Sequence, residues 1–407
     1  MSQALRRVVV TGQGVISSLG VTAEQHLVGL REGRSGVSPI ELIDSEGLQI
    51  KIAAEAKGFV EEEHFTRDEI TLRDRVTQMA IVAAREAVAQ SGIEFDQQRA
   101  LATATIMGTS MGGQHTQDDN YRLVYREGKK RVHPFIVPRL MANAPVSWVS
   151  MDQGLMGPSY SVSTACASSN HAIGQAFHLV RSGGADIALT GGTESGLTFG
   201  VLKGWEGMRV LSRSNCRPFS ANRDGLVQGE GAAIFVIEEL EHAKARGANI
   251  LGEIIGFGMG ADASDIVHPS QAGAGRSMKA ALRDASIQPD AVDHINAHGT
   301  ATALNDKTET AAVRDVFGSH ADNLTITSTK SMHGHCIGAA GALEFAASLM
   351  ALSGTTPPTI NYDEPDPECD LDVVANEARE TDCRVAMSNS FAFGGLNAVV
   401  IAQRFDG

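Results

Sequence analysis

An internal echo restricts the architectures open to this chain more than any other feature. Ser163-Thr164 stands eight residues before His171-Ala172-Ile173-Gly174, and Thr327-Ser328 stands eight before His335-Cys336-Ile337-Gly338, an offset of 164 residues in both cases. Each copy runs from a strand-like stretch into an Ala/Gly-rich helical one, so each reads as a strand-to-helix elbow. Gly12-Gln13-Gly14 and Gly256-Phe257-Gly258 form a weaker second pair. A solenoid needs at least about three stacked units to bury a core. Two copies therefore predict a duplicated half packed against its twin. Apolar runs such as VVVTGQGV, ADIALTGG and AAIFVIEEL alternate with helical patterns such as RDRVTQMAIVAAREAVAQSG, which indicates α/β architecture with covered sheets. The halves divide near residue 250, after EHAKARGAN, giving 1–250 and 251–407. No long Pro/Ser linker separates them, so they are expected to share one rigid interface.

Composition narrows the functional classes. At 407 residues, 43 % hydrophobic and 20 % charged, the chain is globular and long enough for about two or three core-building units. Its 34 Lys and Arg against 48 Asp and Glu leave a net charge of −14, which argues against a broad nucleic-acid surface. The one dense positive cluster, Arg126, Lys129, Lys130 and Arg131, reads as a solvated loop or as a patch for an anionic partner. No run of 18 apolar residues occurs and the first apolar stretch is too short for a signal peptide, so a cytoplasmic protein with no membrane association is expected. The five cysteines show no C-x-x-C spacing, which argues against a disulfide frame or a structural zinc site.

The elbows also carry the reactive residue types. Cys166 lies where YSVSTA gives way to a helical pattern, so its sulfur is expected at a helix N-terminus, where exposed N–H groups and the dipole favour thiolate. Small neighbours leave room for a carbonyl to approach, with the Cys166 N–H as an oxyanion donor; the plain alternative is a buried structural cysteine. His298 precedes Gly299 at a strand end, and His294 four residues earlier lacks the carboxylate of a helical metal motif. The second elbow supplies Lys330, His333 and His335. If the halves face each other, Lys330 and His335 approach Cys166. Gly108-Thr109-Ser110-Met111-Gly112 fits G-x-S-x-G after a strand, which keeps a serine hydrolase using Ser110 as a rival, although a structural glycine turn reads better. In NSFAFGG, Gly394-Gly395 would let the Phe393 N–H complete an oxyanion hole with that of Cys166.

TACAS around Cys166, NAHGTAT around His298, STKSMHGHCIGAAGALE around Lys330 and His335, and NSFAFGG with Phe393 together resemble the β-ketoacyl-[acyl-carrier-protein] synthases of the thiolase superfamily, of the elongating class. The resemblance covers essentially the whole chain. It implies a five-layer αβαβα fold of two pseudo-duplicated halves, a homodimer, and decarboxylative Claisen condensation of an acyl thioester with malonyl-[acyl-carrier protein], with no redox cofactor and no catalytic metal. By the same resemblance Cys166 is the acyl-carrying nucleophile and His298 and His335 hold the malonyl thioester carbonyl. Lys330 supports them, linked to an acid at the position of Glu309, with Thr300, Thr302 and Glu344 as further supporting residues. Phe393 is the gating phenylalanine, and Met111 lines the bottom of the acyl pocket. Some relatives bind a structural monovalent cation near the positions of Asn296, Glu344, Ser388 and Asn389. Acyl carrier proteins are acidic, which makes Lys129, Lys130 and Arg131 docking candidates.

Near relatives separate on single residues. Degradative thiolases use a second cysteine where NSFAFGG stands here, initiating synthases carry Asn at the position of His335, and chain-length-factor subunits lack the nucleophile. Departures from housekeeping synthases, such as His333 in SMHGH and Leu396 in FGGLN, together with the segments CRPFSANRDG and EPDPECDLDV, look closer to nodulation-type and other specialised-lipid ketosynthases. They leave the acyl chain and the pathway open, and they give His333 a supporting or packing role. A catalytically silent partner of another ketosynthase is the non-enzymatic alternative.

Overall fold

The computed structural model describes residues 5–407. Its main sheet has eleven strands. Apart from a short edge strand, Asp372–Val373, these fall into two sets of five. The first comprises β1 (Val8–Ile16), β2 (Thr103–Gly108), β3 (Ser159–Val162), β4 (Ile187–Glu194) and β5 (Gly231–Glu239), in the order β3-β2-β4-β5-β1. The second comprises β6 (Gly252–Ala261), β7 (His294–Asn296), β8 (Thr325–Thr327), β9 (Val385–Ala392) and β10 (Leu396–Gln403), in the order β8-β7-β9-β10-β6. Directions match as well. In each set the second strand runs parallel to the third and fourth, while the fifth is antiparallel to the fourth and first. This is the duplication expected from the repeat. The sets meet where β1 and β6 pair antiparallel over Val8↔Ile254, Val9↔Glu253 and Val10↔Gly252.

Helices complete five layers. α1 (Arg75–Ser91) covers the outer face of the first set, α3 (Gln271–Ala285) and α4 (Asn305–Phe317) cover that of the second, and α2 (Ser168–Arg181) and α5 (Ala340–Leu352) lie between them. Every residue of α5 is buried, as its middle position demands. All nine residues of β1 are buried too, which a Val-rich strand covered on both faces requires. The glycine pairs have one physical cause. A Cβ at Gly12 or Gly14 would run into the α1 carbonyls of Ala87 and Ala83, and one at Gly256 or Gly258 into the α3 carbonyls of Ala281 and Ser277.

The constant offset of 164 does not survive at residue level. His171 sits inside α2, which begins at Ser168, whereas His335 precedes α5, which begins at Ala340. The second elbow inserts a helical turn, Lys330–His333, between strand and helix. The two elbows are equivalent as units, and the second is the longer.

Candidate active site

Cys166 lies between β3 and α2, just before the first turn of the helix, following Ala165 in the left-handed region (φ 48°). His298 follows β7, and His335 follows the helical turn after β8. Folding brings them together: the sulfur and one nitrogen of each ring all lie within 4.8 Å of one another. The imidazole centroids are 5.5 Å apart with their planes at 83°. All three groups open onto one cavity of about 280 Å³, whose wall also includes Phe393, Thr300, Thr302 and Trp205.

Hydrogen bonds decide which ring nitrogen faces the sulfur. The Ile337 backbone N–H donates to His335 Nδ1 (3.2 Å), and the Lys330 ammonium donates to His298 Nδ1 (3.4 Å). With both Nδ1 atoms accepting, each neutral ring carries its proton on Nε2. Burial, reinforced by the nearby Lys330 charge, holds both imidazoles well below the ordinary histidine value, so they are neutral donors at physiological pH.

The sulfur departs from expectation. Burial pushes the Cys166 thiol up to about 11, against the opposing pull of Lys330 and of the backbone N–H groups of Phe393 and Cys166, both of which reach it. The first turn of α2 is itself buried, so lost hydration of a thiolate outweighs what the helix end offers. At rest the Cys166 side chain is a thiol. Phe393 is held by the two glycines after it, in left-handed conformations at φ 84° and 68°. The Gly394 N–H donates to the Ile266 carbonyl and the Gly395 carbonyl accepts from the Asp262 N–H, both at 2.8 Å.

Lys330 and its acid require a second correction. Both are fully buried, and the acid is Glu344 on α5, not Glu309. The ammonium also donates to the His298 carbonyl (2.6 Å). Glu309, on α4, instead accepts the backbone N–H groups of His298 (2.9 Å) and Gly299 (2.8 Å) and the amide of Asn389 (3.2 Å). Burial raises it to about 7. Thus Lys330 holds His298 by its ring and its carbonyl, and Glu309 holds it by its backbone N–H.

The remaining residues sort by place. Thr300 and Thr302 share a hydroxyl hydrogen bond (2.9 Å) in the cavity wall. His333 faces away from the cavity and uses both nitrogens, on Gly334 O (2.9 Å) and Thr329 Oγ1 (3.0 Å), so it packs and does not join the reacting groups. Among the described residues no histidine hydrogen-bonds the Ser110 hydroxyl, and the Ser110 N–H donates to Glu194. Met111 lies against Gly196, outside the cavity wall. Lys129, Lys130 and Arg131 are exposed on a loop, while the cation at the cavity itself is Arg209. Asn296, Asn389 and Glu344 each carry a buried side-chain oxygen without a partner, a donor set that fits a hard monovalent cation.

Trp205 and Glu194 escaped the sequence reading. Trp205 stacks on Phe393 at 5.8 Å. A lone glutamate closing the otherwise uncharged run IALTGGTE was the available signal for Glu194.

Comparison with known proteins identifies a family along the chain. Residues 5–243 match the description "Beta-ketoacyl synthase, N-terminal domain" and residues 251–363 "Beta-ketoacyl synthase, C-terminal domain". The chain is 47 % identical over 396 residues to Nodulation protein E of Rhizobium sp. (strain N33), covering 97 % of this chain and 98 % of that protein. It is 42 % identical over 409 residues to 3-oxoacyl-[acyl-carrier-protein] synthase 2 of Staphylococcus aureus (strain COL), covering 98 % and 99 %. Among solved structures, the ishigamide ketosynthase/chain length factor superposes with a TM-score of 0.95 at 38 % identity, covering 99 % of this chain and 100 % of that one. A type II polyketide acyl-carrier protein in complex with its ketosynthase bound to the hexaketide gives 0.86 at 30 %, with the same coverage.

Proposed function

Because this chain belongs to the β-ketoacyl synthase family, we propose that it condenses an acyl group carried on Cys166 with malonyl-[acyl-carrier protein], giving 3-oxoacyl carrier and carbon dioxide in fatty acid, specialised lipid or polyketide synthesis. The observation that carries this reading is the convergence within 4.8 Å of one thiol and a ring nitrogen of each of two histidines whose Nδ1 atoms accept hydrogen bonds. In the first half-reaction the Cys166 sulfur attacks the acyl thioester, the carrier thiol departs, and the proton lost by Cys166 leaves with it. In the second, the malonyl C–C bond breaks and its electron pair becomes an enolate. The His298 and His335 Nε2–H groups donate to the enolate oxygen more strongly than to the ground-state carbonyl, so they accelerate the step and do not merely bind. The enolate carbon attacks the acyl-Cys166 carbonyl, whose oxyanion takes the N–H groups of Cys166 and Phe393. Collapse expels the thiolate, which recovers a proton from water.

Thr300 and Thr302 support the site from the cavity wall, where their hydroxyls are hydrogen-bonded to each other. A structural monovalent cation would sit near Asn296, Glu344, Ser388 and Asn389, with the Glu344 charge balanced by Lys330. Residues 1–250 form the lobe of the nucleophile and 251–407 the lobe of His298, Lys330 and His335. Among the described residues no helix is long and apolar enough to cross a membrane, and we place the enzyme in the cytoplasm as a homodimer. The free edge of β3, with Tyr160, Met151 and Met156 exposed around it, supports pairing with a second copy there. Met111, on the turn beside that edge, remains our choice for the floor of the acyl pocket. The test is intact mass after incubation with acyl-carrier thioesters: one acyl group should add to Cys166, and malonyl carrier should then remove it as 3-oxoacyl carrier. A mass increase that Cys166→Ala does not abolish would refute the assignment.

Lys129, Lys130 and Arg131 are the docking candidates for the acidic carrier. Reversing all three charges should raise KM for carrier substrates about three- to tenfold at low salt and leave kcat nearly unchanged. Unchanged KM at low salt would shift the docking role to Arg209 at the cavity.

A further inference from the structure

Apart from the Met111 side chain, the turn Gly108–Gly112 is left without a role by the reaction above, and so is the buried acid that grips it. Glu194 closes β4 and is fully buried. Its Oε2 accepts the Ser110 N–H (2.6 Å) and the Gly338 N–H (3.1 Å), while its Oε1 accepts the Met111 N–H and the Thr109 hydroxyl, both at 3.3 Å. One carboxylate thus spans the two lobes, and its far partner stands three residues after His335.

We propose that Glu194 is a positioning residue for the condensation, holding the loop that aims His335 at Cys166. The path is short. The Ile337 N–H fixes His335 Nδ1, and the next N–H, that of Gly338, is the one Glu194 takes. Ile337 itself sits at φ 42°, in the left-handed region that a β-branched residue avoids. Such a conformation persists only where surrounding contacts over-determine it. The near side is equally tight. A Cβ at Gly338 would strike the Ser110 N–H and the Glu194 carboxylate, and one at Gly108 would strike the backbone of Ser168 and Ser169, in the first turn beyond Cys166. The glycine turn is therefore the spacer between the nucleophile's helix and the histidine's loop, and Glu194 is the clamp across it.

This inference rests on the condensing reading, and its test separates the two. In a Cys166→Gln background, carbon dioxide release from malonyl carrier reports the two histidines alone. Adding Glu194→Ala should lower its kcat at least about tenfold, since displacing a reacting donor by even a fraction of an ångström is costly, while KM stays within about twofold. Glu194→Gln can turn its oxygen to the Ser110 and Gly338 donors and let the Thr109 hydroxyl reverse, losing only the long Met111 N–H bond, so it should keep kcat within about threefold. If Glu194→Ala does not fold, Glu194→Asp, too short to reach both lobes, should show the same loss. Lower thermal stability with unchanged kcat in the Ala or Asp variant would overturn the proposal and leave Glu194 a structural residue. No carbon dioxide release with Glu194 intact would overturn the condensing reading, and this inference with it.

Discussion

Cys166→Gln should reduce condensation to below about a thousandth of its rate while malonyl decarboxylation persists or rises, because only the nucleophile is removed and the enolate site is not. The argument is geometric. The Gln amide fills the space of an acyl thioester, and its carbonyl can take the two N–H groups that now reach the sulfur, from residue 166 itself and from Phe393. His298 and His335 keep their Nε2–H donors, since Nδ1 is engaged by Lys330 in one and by the Ile337 backbone in the other. Carbon dioxide release and 3-oxoacyl product, measured on the same sample, provide the check. Condensation surviving the substitution would remove Cys166 from the mechanism, and loss of both activities would mean that thiol and rings do not act as separable parts.

Lys330→Met should cost about 3–5 kcal/mol of stability, the penalty for stranding one member of a buried ion pair. Glu344 would be left in a site where its second oxygen already lacks a partner. Burial raises the Glu344 carboxyl even beside Lys330, and without the ammonium it rises further. A carboxyl raised on folding contributes stability that is present below its unfolded value and lost as pH climbs through the folded one. The deficit should therefore be small in acid and grow as pH rises. Decarboxylation should fall at least about a hundredfold, because the His298 carbonyl and Nδ1 lose their common donor and the ring is free to change tautomer. Lys330→Met/Glu344→Gln removes both charges and should regain most of the stability without the activity. Urea denaturation at pH 5 and pH 7, read beside carbon dioxide release, separates these effects. A single variant as stable as its parent at pH 7 would show that the pair is not needed for folding.

The two lobes, their elbows and the residues that converge at the cavity were legible because each depends on local chemistry: a β-branched run stopped by glycine, a cysteine or histidine at a junction, small residues where backbones touch. What stayed hidden depends on elements far apart in the chain. Lys330 had Glu309 and Glu344 within reach in sequence, and only the return of α5 through the middle layer decides for Glu344. The Cys166 thiol looked activated from its place before a helix, yet the depth of that helix end reverses the shift. Gly108–Gly112 fits a hydrolase motif because glycine turns look alike, and its purpose depends on Glu194 arriving from β4. The Gly12 and Gly256 pairs, a faint echo in the sequence, proved the firmer sign of duplication, since each is imposed by a helix lying directly on a strand.

The short β1–β6 seam gives the molecule a mechanical character. Three residue pairs weld the two lobes into a continuous ribbon, with the sulfur hung from one side of the weld and both rings from the other. Hinge bending there would pull the thiol off the Phe393 N–H and away from both rings, so longer or bulkier acyl chains must be accommodated without movement of the joint between the lobes.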